Sequence, residues 1–194
     1  TDNALLPKVL FMVILAPVIE EYIFRKQLID RMHVYGEKLA VITSALMFGL
    51  FHGNLSQLFY AFALGLVFGY VYLKTGKLRY SIGLHMLINF IGSVAGPFFL
   101  EKIAVLGTME TLDMVALESI MPWLIGFGAY VLVLIGLAIT GLVLLCINKR
   151  KVSFAPAELE LPKDDRFMTV YGNVGMILLV VGCTALIVAS LIPL

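Results

Sequence analysis

APVIEEYIFR, residues 16–25, places Glu20, Glu21 and Arg25 in an apolar stretch where lipid-facing side chains belong. Whether that stretch is a membrane segment decides the fold. Of the 194 residues, 61% are hydrophobic and only 14% are charged. The mean hydropathy is +1.00. Soluble domains average about 45–50% apolar and about 25% charged residues, and a globule of this length could not hide so much apolar surface. Lipid is therefore the solvent for much of the chain, which reads as a polytopic membrane protein. The three charges of 16–25 then lie in a membrane segment and need a reason to be there.

Working outward, six apolar segments appear, at residues 5–24, 39–52, 56–73, 80–100, 120–147 and 168–193. A spanning helix needs about 20 residues, and all but the second reach that length. The second, LAVITSALMFGLFHG, is predicted to be tilted or covered by its neighbours. No segment alternates with period 2, which argues against a membrane barrel. The predicted class is all-α, a bundle of about six transmembrane helices. Arg25, Lys26, Arg31 and Lys38 follow the first segment, Lys74, Lys77 and Arg79 the third, and Lys149, Arg150, Lys151, Lys163 and Arg166 the fifth. The connection between them at 98–120 holds four acids against Lys102 alone. Basic turns alternate with non-basic ones, and the positive-inside rule puts the basic turns in the cytoplasm and both ends of the chain outside it.

A net charge of +1 without a basic stripe gives no case for nucleic acid. Cys146 and Cys183 lie in apolar runs and read as small hydrophobic side chains. Glycines at four-residue spacing (Gly49 and Gly53, Gly65 and Gly69, Gly92 and Gly96) suggest close helix approach. No signal peptide is visible, and the start at Thr1 suggests a fragment or processed form of a longer protein.

Ionisable groups in lipid are costly and usually functional. Here they reduce to Glu20, Glu21, Arg25, His52 and His85, joined by the amide Asn89. If the first helix leaves the membrane near His33, Glu20 lies roughly 20 Å deep at about 1.5 Å per residue. His52 lies roughly 21 Å from Lys38, and His85 and Asn89 lie roughly 9 and 15 Å from Arg79. Groups from three helices share a depth band. Glu21 and Arg25 are i, i+4 with the acid first, the favourable order for an ion pair, which leaves Glu20, about 100° round, for other work. His85 and Asn89 also share a face, as do Phe48 and His52. Each of these could be structural alone: a helix-locking pair, a turn histidine, interhelical glue. His33, in a basic turn, is read as a loop residue.

Two chemistries suit this set. A carboxylate can act as general base on a water held by an imidazole, with a second imidazole and an amide facing the oxyanion. Alternatively Glu20, His52 and His85 could bind Zn²⁺ with an open water position, a metalloprotease scheme. Either hydrolyses an amide within the membrane. No Ser–His–Asp set, Cys–His set or H-E-x-x-H helix is legible.

EEYIFR (Glu20–Arg25) matches E-E-x-x-x-R, FGLFH (Phe48–His52) matches F-x-x-x-H, and HMLIN (His85–Asn89) matches H-x-x-x-N. In that order they resemble the CAAX protease and bacteriocin-processing family of intramembrane endopeptidases, related to the type II CAAX prenyl endopeptidases, over about residues 16–97. The resemblance implies a multi-helix protease with a water-filled cavity and a peptide or membrane-protein substrate. It makes Glu20 the base with His52 assisting, Glu21 and Arg25 a structural pair, and His85 with Asn89 the oxyanion site. The metal requirement stays open. The expected organisation is a catalytic core at 1–97, a non-cytoplasmic loop at 98–119, and two C-terminal helices in 120–194 joined by a cytoplasmic loop at 148–167. The expected location is the plasma membrane of a prokaryote. Two rival readings are a non-enzymatic immunity or scaffold protein of the same fold, and a transporter or proton relay. The latter predicts an internal repeat, and none is visible.

Overall fold

A computed structural model of the chain describes residues 5–104, 114–159 and 161–192. Among them every regular element is helical, and the protein is an all-α, multi-pass membrane protein. Helix α1 covers residues 5–32 and winds unevenly. It is α-helical at Leu5–Lys8, Ala16–Glu21 and Asp30–Met32, with wide π turns at Val9–Leu15 and Tyr22–Ile29. A short 3₁₀ turn, His33–Tyr35, leads to α2 (Glu37–Phe51), then α3 (Leu55–Thr75). Helix α4 (Leu78–Ala104) is interrupted by a π turn at Ile91–Ala95. Helix α5 (Met114–Asn148), α6 (Lys163–Tyr171) and α7 (Val174–Ser190) complete the chain.

Among the described residues three helices are long and apolar enough to cross a membrane, at Leu55–Thr75, Leu78–Ala104 and Leu117–Lys151. The sixth sequence segment is not one straight span. It breaks at Gly172 and Asn173, where α6 and α7 meet with a 70° bend. The physical reason is local: Asn173 caps α7 by accepting the Met176 N–H at 3.0 Å, and a Cβ at Gly172 would stand 2.6 Å from the Met168 carbonyl oxygen. The second segment is the 15-residue α2, mostly buried. The 98–119 connection is helical at both ends, and its centre at 105–113 lies outside the described residues.

The chain forms two compact units. One takes Leu15–His85 with the residues from Phe154 onward, the other the residues up to Ile14 with Met86–Ser153. In the first, α2 packs on α3 with almost no side chain between the backbones. A Cβ on Gly65 would stand 2.9 Å from Ala45 Cα, and one on Gly49 2.8 Å from the Leu58 carbonyl oxygen. Gly69 faces Ile29 and Val41 at 3.3 Å. The glycine spacing thus marks close helix approach here. Gly53 has a different task. Its φ of 67° turns the chain between α2 and α3, after which the Asn54 side chain accepts the Gln57 N–H at 2.8 Å and starts α3. That turn fixes His52 at the very end of α2.

At the end of this unit that bears the basic turns, the segment after Phe154 is strapped to α2. The Leu159 N–H donates to the Val34 carbonyl at 2.9 Å. The Ala155 N–H donates to the Glu37 carboxylate, which also holds Lys74, both at 2.7 Å.

In the second unit, the Ile91 carbonyl accepts the Gly96 N–H that closes the π turn of α4 and also the Tyr130 hydroxyl at 2.9 Å. Phe99, Phe127 and Tyr130 gather their rings beside it. Gly92 has open space around it, so its spacing from Gly96 marks no helix contact.

Candidate active site

The π turn Tyr22–Ile29 carries Arg25 inward, and the side chain ends fully buried. Its fork meets Glu21 twice, Nε to Oε2 at 3.0 Å and Nη2 to Oε1 at 3.1 Å. The remaining nitrogen, Nη1, donates to Ser44 Oγ at 2.9 Å, and the Ser44 hydroxyl donates to the Phe24 carbonyl at 2.7 Å. The guanidinium also lies 4.7 Å from the Phe48 ring centre. A buried ion pair is tolerated only when its leftover donors and acceptors are satisfied, and here a serine from α2 completes the set.

Glu21 reaches a third helix. His85 Nδ1 stands 3.1 Å from Glu21 Oε1. The imidazole is buried, stacked on Phe68 at 5.3 Å and edge-on to Phe48 at 5.4 Å. His52 Nδ1 lies 2.8 Å from the Phe48 carbonyl oxygen, with its ring across that of Phe48 at 4.9 Å. Phe48 therefore touches Arg25, His52 and His85 together. It is the common wall of the site.

Glu20 stands apart from these pairings. Its Oε2 is buried and has no hydrogen-bond partner, with His85 Nε2 3.8 Å away. An oxygen in that state is expensive in an apolar surrounding. The tautomers sharpen the point. A carboxylate facing His85 Nδ1 and a carbonyl facing His52 Nδ1 can only accept, so each Nδ1 carries its proton. A ring that carries only that proton presents Nε2 as an acceptor. Glu20 Oε2, buried and unpartnered, stands 3.8 Å from His85 Nε2. One water donating a hydrogen to each would satisfy both.

Sequence reasoning singled out Glu20, Glu21, Arg25, His52 and His85, and all five lie in this unit. Asn89 belongs to the other unit, where its amide donates to the Met12 carbonyl at 2.8 Å. Ser44 and Phe68 were not singled out. Ser44 had a signal: it sits four and eight residues before Phe48 and His52, on the same stripe of an apolar helix. Phe68 had none, being one of many aromatics on α3. Glu20, His52 and His85 were also the candidate Zn²⁺ ligands. Among the described residues no three His, Cys, Asp or Glu side chains are grouped so that they could hold a metal ion.

Residues 2–91 match the family model described as type II CAAX prenyl endopeptidase Rce1-like. The membrane-embedded CAAX protease MroQ of Staphylococcus aureus (strain USA300) is 31% identical over 88 residues, covering 42% of this chain and 36% of that protein. The chain thus matches little more than a third of that relative's length. No solved structure matches the chain. The matched region contains all three motifs, and over it the chain is similar to the type II CAAX prenyl endopeptidase Rce1-like family.

Proposed function

We propose that the chain carries the catalytic site of an intramembrane endopeptidase that hydrolyses a peptide bond with a water activated by Glu20. The observation that supports this most is the unpartnered, buried Glu20 Oε2 facing His85 Nε2 at 3.8 Å. A water held between them has both hydrogens engaged, so its lone pairs point away from the pair, toward a substrate. Glu20 takes one proton as the water oxygen bonds to the peptide carbonyl carbon. The C–N bond then breaks, and the same proton passes to the departing amine. His52, held by Phe48, offers its Nε2 as a second acceptor near the reacting water. Glu21 orients His85 through Nδ1, and Arg25 fixes Glu21 with two hydrogen bonds.

His85 and Asn89 remain the proposed oxyanion partners. In that role a protonated His85 Nε2 would donate to the oxyanion, as the alternative to its holding the water. The names of the matched family and relative support a peptide substrate, with a C-terminal CAAX peptide as the first to test. The bacterial relative also supports a prokaryotic plasma membrane as the location.

Glu20→Gln tests the scheme, because it keeps the shape and removes the base. Cleavage of a prenylated CAAX peptide and of unprenylated membrane peptides by protein in liposomes should fall about 10²–10⁴-fold, with helical content unchanged. If the protein's effect in cells survives this change, hydrolysis is not its function and the non-enzymatic reading replaces it.

A further inference from the structure

Away from the candidate active site, α2 presents a second face to α6, α7 and the strap. We infer that this face is a binding groove for one anionic phospholipid, with the headgroup at Lys38 and Arg166 and an acyl chain along α2. The inference is independent of the proposed hydrolysis.

Two cavities follow one another along this face. The first, about 360 Å³, lies at the start of α2 and is lined by Tyr35, Lys38, Leu39, Ile42, Arg166 and the strap segment 155–157. The second, about 610 Å³, continues with Leu46, Met47 and Leu50 on α2. Lys38, Leu39, Ile42, Leu46 and Leu50 are spaced three to four residues apart or adjacent, which is one stripe of the helix. From Leu39 to Leu50 the stripe extends about 16 Å, close to the depth of one leaflet of a hydrocarbon core about 30 Å thick. The opposite wall follows the same order, with Arg166 at the first cavity and Phe167 and Met168 at the second. Beyond the 70° bend it continues as Met176 and Ile177. Flexible methionines on both α2 and the bent pair suit a mobile chain rather than a rigid side chain.

The charge is one-sided. No carboxylate lines the first cavity. Glu37, next to Lys38, is turned to Lys74 and the Ala155 N–H. Neither Lys38 nor Arg166 has an ion-pair partner among the described residues, and Arg166 makes only a long 3.5 Å bond to the Leu161 carbonyl. Two unpaired cations above an apolar slot of leaflet depth are complementary to an anionic headgroup carrying an acyl chain. Basic pockets between membrane helices on the cytoplasmic side recognise such headgroups, and these cations lie in the basic turns assigned to that side.

The test uses the 194-residue chain extracted from bilayers of phosphatidylcholine with a minor share of phosphatidylglycerol, followed by native mass spectrometry of the retained lipid. The expected result is one retained phosphatidylglycerol, enriched roughly tenfold or more over its share of the bilayer, with the enrichment lost in Lys38→Gln/Arg166→Gln. Both side chains are exposed, so the double variant should fold, which circular dichroism checks. Leu46→Trp, which narrows the apolar part alone, should lower retention while leaving the headgroup preference. Three results would overturn the inference. These are equal retention of the two lipids by the unaltered chain, a preference that survives in the double variant, and displacement by glycerol phosphate alone, which would make it a free-anion site. A fourth, displacement by a prenylated peptide but not by excess phosphatidylglycerol, would also overturn it by assigning the groove to substrate.

Discussion

Helices α2 and α5 are both apolar, yet they are opposites. Helix α5 is the longer, and no part of its spanning window is buried inside the protein. Helix α2 has 15 residues, includes Thr43 and Ser44, ends at His52, and buries about half of its length. In water the more apolar helix would be the core helix. In lipid the order inverts, because acyl chains solvate Leu and Ile as well as a protein interior does, while small and polar residues gain from meeting one another. The interior of this protein is therefore marked by Gly, Ser, Glu and His, and its periphery by Leu and Val.

The sharpest way to break that comparison is to substitute one residue on each side of it. Arg25→Ala removes the cation that faces Glu21, Ser44 and Phe48, and leaves a buried carboxylate uncompensated. The expected loss is about 3–5 kcal/mol of stability, together with all cleavage activity. Leu137→Ala on α5 removes more apolar surface from a side chain that is 61% exposed, and it should cost almost nothing in lipid. Unfolding in a mixed-detergent titration reads both. Equal losses would mean that α5 is an interior helix after all.

Ser44→Ala is the next step down. It strands Arg25 Nη1 and the Phe24 carbonyl, worth about 1–3 kcal/mol, and should lower cleavage by loosening Glu21 and so His85. Gly65→Val should cost a similar 1–3 kcal/mol, since its Cβ has Ala45 Cα at 2.9 Å. The matching change on the other side, Gly136→Ala in α5, meets nothing within 4 Å. It should stabilise the helix by up to about 1 kcal/mol. Opposite signs at two helical glycines are the comparison in its smallest form.

This contrast also explains what could be read in advance. Charges inside an apolar run, and the i, i+4 spacing of Glu21 with Arg25, are local signals, so the helical class and the pair are legible in EEYIFR itself. Depth along the membrane normal follows from counting residues, which is how Glu20, His52 and His85 came to be grouped. Rotation about a helix axis does not follow from counting. The contacts of Arg25 with Ser44, of His85 with Phe68 and of Asn89 with Met12 each depend on how one helix is turned against another. The 70° break at Gly172 was hidden because an apolar count runs straight through it.

The smallest effect belongs to the strap, which ties a soluble loop to the buried α2 through one carboxylate. Burial alone would raise the Glu37 pKa, but the Lys74 ammonium and the Ala155 N–H outweigh it and hold the carboxyl below its usual value. A carboxyl depressed on folding adds stability that is fully present above its unfolded pKa and disappears as pH falls through the folded one. The strap should thus be firm at neutral pH and release in acid, below about pH 4.3. Hydrogen exchange at the Ala155 and Leu159 amides should quicken there, after correction for intrinsic rates, while the amides of α2 stay protected. Glu37→Gln should abolish the pH step and cost no more than about 1 kcal/mol, since the Glu37–Lys74 bridge is partly exposed. If α2 opens together with the strap, then the polar loop and the buried helix form one cooperative element, and the contrast between interior and periphery extends beyond the membrane.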